Sequence, residues 1–246
     1  MENHPAISII VPAYNEEKLI ANCLTSLKNQ DFDKPYEIIV VNNNSADKTE
    51  DIALSYGVKV ITESMQSVVV ARQRGVSAAR ADLVAGADSD CVYPPGWLKA
   101  IYRHFADPKV VAVGGPGKAS ETNPYWGYLT YIWGFALVHI VYRLTGKVIY
   151  LLASNFTFRR KAFLALGGYH TYLPLGGGDE IHPLWRLQKV GKAVFDPQAI
   201  SFISLRRYRV GFLKFLFIHT LYYYVIAFIL ALLTKKALIQ NVAIRD

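Results

Sequence analysis

Four short segments in the first part of the chain consist mostly of apolar residues. This composition is typical of strands that are buried on both faces of a parallel sheet. The segments between them carry apolar residues at helical spacing. The alternation of strands and helices predicts a doubly wound, mostly parallel α/β sheet with right-handed crossovers. The predicted strands cover residues 6–11, 36–41, 58–61 and 83–87, and the predicted helices start at 15–17 and cover 48–55 and 67–80.

Polar or turn-forming residues follow three of these predicted strands. They occupy positions 12–14, 42–44 and 88–90. In open α/β sheets, ligands bind in the crevice outside the carboxyl ends of the strands. We therefore expect a ligand site where these three loops meet.

The third of these loops carries two acids, Asp88 and Asp90, with only Ser89 between them. Negative charge at the rim of a sheet is costly unless a cation or another partner compensates it. Two carboxylates at this spacing can hold Mn²⁺ or Mg²⁺ and leave coordination positions open for diphosphate oxygens. Asp90 and Asp88 are therefore the candidate metal ligands. A loop with two solvated acids is the structural alternative.

Charge and motif content narrow the possible partners. The net charge of +8 favours anionic partners such as phosphates, nucleic acid or an acidic membrane face. The basic residues are spread along the chain without a recognition motif, so we expect no nucleic-acid partner. The first half lacks a glycine-rich dinucleotide or P-loop fingerprint, so side chains, a metal and loop amides would hold a nucleotide. The two cysteines, Cys23 and Cys91, are not spaced as a metal or redox motif, which favours a reducing compartment.

Three spaced segments carry recognisable motifs: residues 9–16 (IIVPAYNE), 38–49 (IIVVNNNSADKT) and 88–90 (DSD). Together they resemble the family 2 glycosyltransferases of the GT-A fold. The resemblance implies a Rossmann-like GT-A domain over residues 1–209. Residues 1–115 would form its nucleotide-sugar-binding half, and residues 116–209 its acceptor-binding half. It also implies a nucleoside-diphosphate sugar as donor, Mn²⁺ or Mg²⁺ as cofactor, and inversion at the sugar carbon.

The same resemblance implies which residues bind the donor. Asn42 and Asn43 stand where relatives often have an aspartate against the base or ribose. An amide both donates and accepts hydrogen bonds, so uridine, guanosine and thymidine donors all stay open. Arg206 and Arg207 are implied to stabilise the departing diphosphate, although a basic stretch against anionic lipid is an alternative. The implied donor-binding residues are Pro12, Ala13, Tyr14, Glu16, Asn42, Asn43, Arg72, Asp88, Ser89, Asp90, Arg206 and Arg207.

On the acceptor side, the resemblance implies that Asn155 lies near the reacting sugar. It also implies a catalytic role for the acidic pair Asp179 and Glu180, because Arg186 follows the first acid by seven residues. A carboxylate in reach of the acceptor hydroxyl can take its proton. The second acid of the pair is usually this base, so we favour Glu180 and keep Asp179 as the alternate. Acids that only interact with a helix dipole are the structural alternative.

A long apolar segment near the end of the chain indicates a membrane. Residues 215–234 carry one histidine and no formal charge, and about twenty helical residues span a bilayer core. We predict a membrane-associated or transmembrane helix over 210–234 and a short tail over 235–246; a partly buried or dimerising helix is the alternative. More basic residues flank its start than its end, and residues 1–15 lack a signal sequence, so the catalytic domain is expected on the cytoplasmic side of the cell membrane. A second apolar segment, 126–142, is interpreted as an interfacial helix or a core helix.

Together these features predict a metal-dependent, inverting glycosyltransferase of the hexosyltransferase type. It would transfer a sugar to the hydroxyl of a lipid-linked or cell-envelope glycan acceptor at a membrane. A polyprenyl-phosphate sugar synthase is the alternative within this class, and its acceptor phosphate would need no base. A membrane-tethered nucleotide-binding module without catalysis is the alternative from another class.

Overall fold

The apolar segments of the sequence form the strands of a seven-stranded sheet. The computed structural model describes residues 4–119, 135–173, 177–204, 206, 226 and 228–235. Within these ranges the strands are β1 (Ile7–Ala13), β2 (Tyr36–Asn42), β3 (Lys59–Thr62), β4 (Leu83–Gly86), β5 (Val110–Gly114), β6 (Gly117–Ala119), β7 (Phe156–Arg159), β8 (Lys192–Phe195) and β9 (Ser201–Ile203).

Helices of two to three turns connect and cover these strands. A π-helical turn, Gly177–Ile181, leads directly into one of them, and short 3₁₀ turns cover Arg103–Ala106 and Ala153–Asn155. The α-helices are α1 (Ile20–Lys28), α2 (Thr49–Ser55), α3 (Val68–Ala78), α4 (Trp97–Tyr102), α5 (Leu137–Thr145), α6 (Arg160–Ala165), α7 (His182–Leu187) and α8 (Phe228–Thr234).

The sheet has the strand order β3-β2-β1-β4-β7-β5-β8. The four strands of the first half are parallel, and β8 is parallel to β5. Strand β7 is antiparallel to both of its neighbours, β4 and β5. The prediction of a mostly parallel α/β sheet is thus confirmed, with one reversed strand beside β4. Strands β6 and β9 form a separate parallel pair.

Both faces of the sheet are buried, as the nearly continuous apolar strands predict. Ile7, Ile9 and Val11 of β1 pack with residues of α1 in one core cluster. Ile10, the residue between two of them, packs with α3 in a second cluster on the other face. Because side chains alternate along a strand, a sheet covered on both faces needs apolar residues at every position.

The first helix begins later than its sequence suggests. The Asn-Glu-Glu segment at residues 15–17 predicts a helix start there, yet α1 begins at Ile20. Asn15 has a φ of 49°, in the left-handed region, which interrupts a right-handed helix. The carbonyl of Glu16 instead accepts hydrogen bonds from the backbone N–H groups of Leu19 and Ile20. Residues 15–17 are therefore free to shape the loop at the end of β1.

Most of the predicted C-terminal membrane helix, 210–234, and of the tail lies outside the described residues. The described part contains α8, where Ala231 is buried against Leu173. Among the described residues, no helix combines the length and the apolar character that a membrane crossing requires. Of the segment 126–142, the described residues 135–142 include most of α5.

Candidate active site

The loops after β1 and β2 are joined to each other at the carboxyl edge of the sheet. The backbone N–H of Asn15 donates to the Ser45 hydroxyl at 2.9 Å, and the Ala46 N–H donates to the Asn15 side chain at 2.8 Å. The N–H of Glu16 donates to the buried Thr49 hydroxyl at 2.7 Å. These bonds bring together two of the three loops that the sequence places at one site.

The side chains of Asn42 and Asn43 are buried and bonded within the protein. The Asn42 amide donates to Glu50, and its oxygen accepts from the Ser45 N–H at 3.0 Å. The Asn43 amide donates to the carbonyls of Glu63 and Met65 at 2.9 and 2.7 Å. Both amides therefore shape the loops of this site. This use of their hydrogen-bonding groups gives no support to the expected contact with a base or ribose.

Of the other residues expected near the nucleoside, Pro12 and Ala13 are the buried end of β1, and Tyr14 is half-buried. The carbonyl of Ala13 accepts a hydrogen bond from the Asn43 N–H at 2.8 Å. At this edge, Pro12 and Ala13 thus contribute backbone and close packing, whereas Tyr14 offers part of its ring to the loop surface.

The acidic loop that follows β4 is held from below by Tyr93. The backbone N–H of Asp88 donates to the Tyr93 hydroxyl at 2.9 Å, and this hydroxyl donates to the Ser154 carbonyl at 3.0 Å. Ser89 is buried. The side chain of Asp88 is 28% exposed and that of Asp90 is 10% exposed. Both carboxylates thus sit at the rim of the sheet, shielded but still reachable.

The donor atoms at this loop fit a hard divalent cation. Among the described residues, Asp88, Asp90 and Cys91 offer potential ligand atoms within 4.8 Å of one another. Burial raises the pKa of the Cys91 thiol well above its ordinary value, and the negative charges of Asp90 and Asp88 raise it further. Cys91 therefore stays a protonated thiol at neutral pH. The ligands that remain are carboxylate oxygens, the atoms that Mn²⁺ and Mg²⁺ prefer.

Arg72 of α3 links this loop to the acidic pair far along the chain. Its guanidinium pairs with Asp88 and donates through Nε to Asp179 at 3.3 Å. Burial by itself would lower the pKa of Arg72, but Asp88 and Asp179 beside it raise that pKa above its ordinary value. Its Nη1 atom is buried without a hydrogen-bond partner in the part of the chain that the structure describes. Arg72 is thus a permanent cation with one unused donor at the centre of the site.

The acidic pair lies in the π-helical turn before α7. Asp179 is 1% exposed and pairs with Arg72. Glu180 accepts hydrogen bonds from the Tyr150 hydroxyl at 2.9 Å and from the Ala153 backbone N–H at 3.3 Å. The two acids therefore have different partners, since Asp179 contacts a cation and Glu180 contacts neutral donors.

Arg206 forms the other cationic contact of the site. Its guanidinium pairs with both oxygens of Glu16 and approaches Asp90 at 3.1 Å. Burial opposes the charge of Arg206, but the hydrogen bond to Glu16 and the charges of Asp90 and Glu16 raise its pKa. The structure thus places Arg206 beside a candidate metal ligand, while Arg207 lies outside the described residues.

Gly86, the last residue of β4, allows this strand to lie close to the turn that contains Ala153. A Cβ atom at this position would lie 2.2 Å from the Ala153 carbonyl oxygen. The turn that contains Ala153 donates to Glu180, and the strand that contains Gly86 leads directly into the acidic loop. A glycine at the end of β4 is therefore part of the geometry of the site.

Asn155 has a structural environment rather than a place on the surface of a cleft. Its side chain is fully buried, accepts from the Trp97 indole at 2.8 Å and donates to the Ala199 carbonyl at 2.7 Å. A side chain with no exposed surface has nothing to offer an acceptor. These contacts tie α4 to the segment before β9 and give no support to the acceptor contact that the resemblance implies.

Two contacts around the acidic pair have no clear signal in the sequence. Tyr150 stands in an apolar stretch thirty residues before Glu180, and nothing in its neighbours marks it as a partner of an acid. Arg186 donates to the Gly168 carbonyl at 2.8 Å, so it fixes a loop instead of pairing with the acids.

Burial, followed by the nearby charges of His170 and Arg186, lowers the pKa of His182 to about 4, so this imidazole is neutral at pH 7.

Comparison with known proteins identifies the family of this chain. Residues 8–167 match the family described as Glycosyl transferase family 2. The relative EpsH of Bacillus subtilis strain 168, which carries the name of a glycosyltransferase, is 40% identical over 108 residues, or 42% of this chain and 31% of EpsH. A relative from Methanococcus voltae, named as a dolichyl N-acetyl-alpha-D-glucosaminyl phosphate 3-beta-D-2,3-diacetamido-2,3-dideoxy-beta-D-glucuronosyltransferase, is 34% identical over 125 residues, or 44% of this chain and 38% of that protein. The chain thus spans less than half the length of either relative.

The fold itself matches that of solved structures. Mannosyltransferase PcManGT from Pyrobaculum calidifontis, solved in complex with GDP-Man and Mn²⁺, superposes with a TM-score of 0.64. The alignment covers 82% of this chain and 57% of that protein at 22% sequence identity. At this identity the similarity establishes a shared fold, whereas the ligands of the mannosyltransferase belong to that protein.

Proposed function

The chain belongs to glycosyl transferase family 2 and has the GT-A fold, and from this premise we propose that it is a metal-dependent, inverting glycosyltransferase. It transfers a sugar from a nucleoside-diphosphate sugar to the hydroxyl of a lipid-linked or cell-envelope glycan. The observation that carries the proposal is the meeting of two acidic motifs, because Arg72 contacts both Asp88, which lies 16 residues further along the chain, and Asp179, which lies 107 residues further along.

Cationic groups and carboxylates are arranged at the donor end of this site for a diphosphate. Asp88 and Asp90 would hold Mn²⁺ or Mg²⁺, and a bound cation would neutralise charge on the leaving diphosphate. Arg72 has one buried donor without a partner, and Arg206 is the other guanidinium beside the acidic loop. A planar guanidinium binds phosphate oxygens through parallel hydrogen bonds. The complex of PcManGT with GDP-Man and Mn²⁺ supports a nucleotide sugar as donor.

The contacts of the acidic pair favour Glu180 as the general base. A carboxylate that is stabilised by a neighbouring cation takes up a proton less readily than one that accepts from neutral donors. Asp179 pairs with Arg72, whereas Glu180 accepts from a hydroxyl and a backbone N–H. We therefore assign proton removal to Glu180 and assign to Asp179 the positioning of Arg72.

The reaction is an in-line displacement at the anomeric carbon. The acceptor oxygen forms a bond to this carbon as the bond to the diphosphate oxygen breaks, which inverts its configuration. The acceptor proton passes to the Glu180 carboxylate. The electron pair of the broken bond leaves on the nucleoside diphosphate, next to the cationic side of the site. Charge stabilisation of this kind is strongest in a shielded site, and Asp179, Glu180 and Arg72 are all buried.

We also propose that the enzyme works at the cytoplasmic face of a cell membrane. The apolar segment 215–234 supports this proposal through its length and lack of formal charge. The name of the Methanococcus voltae relative, which specifies a dolichyl-linked phosphate acceptor, supports a lipid-linked acceptor here. The acceptor half of the domain, 116–209, then lies between the donor half and the membrane segment in sequence.

A thermal-shift panel tests the donor site. Nucleoside diphosphates and their sugars are added with and without Mn²⁺, and at a hundredfold excess over Kd a bound ligand stabilises the fold by about 2.7 kcal/mol. For a domain of this size, that corresponds to a rise in Tm of roughly 5–10 °C. Asp90→Asn should abolish the Mn²⁺-dependent part of the shift. Asp82→Asn is the matched control, because Asp82 lies at the opposite end of the same strand and is 73% exposed.

Substitution of the acidic pair tests the chemistry separately. We expect Glu180→Gln to lower turnover by about 10²- to 10⁴-fold, the usual contribution of a general base, and to leave the nucleotide-dependent thermal shift intact. If the double variant Asp179→Asn, Glu180→Gln keeps full turnover, the general-base role is refuted and a polyprenyl-phosphate acceptor is favoured. Nucleotide binding without any donor hydrolysis or transfer would instead favour a non-catalytic binding module.

A further inference from the structure

Helix α5, Leu137–Thr145, has two faces of different character. On the inner face, Val138 is 3% exposed, and the rings of His139 and Tyr142 pack near Phe195 of β8. On the outer face, Leu137 is 57%, Ile140 is 55% and Leu144 is 80% exposed. Their spacing of three and four residues aligns them along one stripe of the helix. The docking face, defined as these three residues, is therefore an apolar stripe on a helix that is already anchored to the core.

The charged residues of α5 and of the loop that follows it have one sign. Arg143 is exposed between two residues of the stripe, and the exposed Lys147 follows the end of the helix. The sequence contains no aspartate or glutamate between Glu121 and Asp179, while five lysines and arginines lie in that interval. Apolar side chains interleaved with basic ones, without acids, complement a surface that is both apolar and anionic.

A short series of hydrogen bonds and ring contacts connects the docking face to the acidic pair. After α5 the backbone of Val148 is held in both directions by the Gln188 side chain, at 3.1 and 2.9 Å. Two residues later the Tyr150 hydroxyl donates to Glu180 at 2.9 Å. The ring of Phe135, just before α5, also lies 6.2 Å from the ring of Tyr150. A surface that binds the docking face therefore lies close to Glu180, because these contacts connect the two.

A second group of exposed apolar residues lies on a helix that packs next to the acidic turn. Helix α8 packs through Ala231 on Leu173, and a Cβ atom at Gly178 would lie 2.7 Å from Leu173. The outer residues Ile229 and Leu233 of this helix are 50% and 76% exposed. Exposed apolar side chains therefore flank the acidic turn through two separate packing contacts.

From these observations we propose that the docking face of α5 binds the headgroup region of an anionic lipid bilayer and holds the acceptor side of the site against it. This inference deepens the proposed function, because it supplies the surface from which a lipid-linked acceptor reaches Glu180. A second copy of the chain is a poorer occupant. Each partner of a stable dimer buries about 800 Å², which three side chains do not supply, and two copies would bring Arg143 and Lys147 of both chains together.

Vesicle co-sedimentation of the full chain tests the proposal. The probes are vesicles of phosphatidylcholine alone and vesicles of phosphatidylcholine mixed with phosphatidylglycerol. The wild type should bind the anionic vesicles more strongly than the neutral ones, since the apolar segment 215–234 can associate with both, and added salt should reduce this difference. Arg143→Ala should lower the partition coefficient about fivefold, the effect of one basic residue at an anionic surface. The double variant Ile140→Glu, Leu144→Glu should lower it about tenfold or more.

The matched control is Leu54→Glu, which places the same charge on α2 at a residue with 54% exposure, against 55% for Ile140. It should bind vesicles like the wild type. All of these variants should keep the Mn²⁺-dependent nucleotide shift, because none of the substituted residues contacts the donor site. If the wild type bound vesicles but showed no Mn²⁺-dependent nucleotide shift, the donor site would be refuted and the docking proposal would stand.

Three results would overturn the docking proposal without touching the donor site. The first is a wild type that binds the anionic and the neutral vesicles equally, and the second is a double variant that binds the anionic vesicles as well as the wild type. The third is a wild-type dimer in light scattering that Ile140→Glu converts to a monomer, since this outcome makes the stripe a protein interface.

Discussion

Gly86→Ala perturbs a close contact between β4 and the turn that contains Ala153. The added Cβ atom would lie 2.2 Å from the Ala153 carbonyl oxygen, whereas ordinary contacts begin at 3.4 Å. The obstacle is backbone, which cannot rotate away as a flexible side chain does. The turn Ala153–Asn155 and strand β4 must therefore separate by about 1 Å, a distance that follows from these two values.

The expected loss of stability follows from this overlap. Overpacking a well-packed core by a methyl group costs about 1–3 kcal/mol. For a domain of this size each kcal/mol lowers Tm by about 2–4 °C, so we expect a decrease of roughly 2–12 °C. This overlap lowers the free energy of unfolding whether or not a ligand is present.

The expected loss of activity is larger than the loss of stability suggests. The Ala153 N–H donates to Glu180, and the Ser154 carbonyl accepts from the Tyr93 hydroxyl that supports Asp88. A shift of the turn therefore moves the proposed base relative to the acidic loop. Misplacement of a catalytic group by about 1 Å can cost about 10²-fold in rate.

The assay measures Tm by differential scanning fluorimetry and turnover with the donor that the thermal-shift panel identifies. Gly96→Ala is the control, because Gly96 is exposed, has a negative φ, and a Cβ atom there meets nothing within 4 Å. The control should keep both Tm and turnover. If Gly86→Ala keeps the wild-type Tm and turnover, the close approach of β4 to the Ala153 turn is not required and the reasoning is refuted.

Three further predictions concern single contacts. Arg206→Met should strengthen the binding of Mn²⁺ alone to the protein by about fivefold to tenfold, since no guanidinium then competes at Asp90. A tenfold change corresponds to about 1.4 kcal/mol, and electron paramagnetic resonance titration measures the affinity. Tyr150→Phe should lower kcat about tenfold or more without changing the nucleotide-dependent thermal shift, because Glu180 loses a hydrogen bond that positions it, and misplacement of a catalytic group by about 1 Å can cost about 10²-fold in rate. Although burial opposes its charge, hydrogen bonds from the Gln198 N–H and from its two basic neighbours hold the pKa of Asp196 below its ordinary value. Asp196→Asn should therefore lower Tm at neutral pH, and the difference from the wild type should shrink as the pH falls through this lowered pKa.

Each of these predictions has an outcome that contradicts it. Weaker or unchanged Mn²⁺ binding by Arg206→Met would show that this guanidinium does not compete for the carboxylate. An unchanged kcat in Tyr150→Phe would exclude a positioning role for the hydroxyl, and Tyr56→Phe, whose hydroxyl lies at 3.0 Å from that of Thr25, is a control remote from the acids. A Tm difference for Asp196→Asn that stays constant down to low pH would show that its charge is not what stabilises the fold.

The local pattern of the sequence was sufficient for the first half of the fold. Strands that are covered on both faces have apolar residues at nearly every position. The existence of β1, β2, β3 and β4 and their parallel orientation therefore follow from composition and from the helices between them. The placement of Asp88 and Asp90 at the carboxyl edge follows from the same order. The start of α1 was wrong by several residues, because the left-handed conformation of Asn15 depends on hydrogen bonds to a loop thirty residues away.

The orientation of β7 and the pairing of the charged groups were decided by the tertiary structure. The four residues of β7 are too short a run to carry a direction, and the path of the chain from the Ala153 turn sets them antiparallel to β4. Asp88 and Asp179 are neighbours only because α3 brings Arg72 between them. Residues with familiar motif positions, such as Asn155, also proved to have structural contacts.

By itself, the sequence determined the family, the mostly parallel sheet and the edge at which its acids gather, because these depend on local composition and on spacing along the chain. Only the tertiary structure decided which acid contacts a cation, which contacts Tyr150, and which basic residue reaches Asp90. Those contacts join residues that are far apart in the sequence, such as Arg72 and Asp179, which are separated by 107 positions, and no local pattern encodes a pairing of that kind.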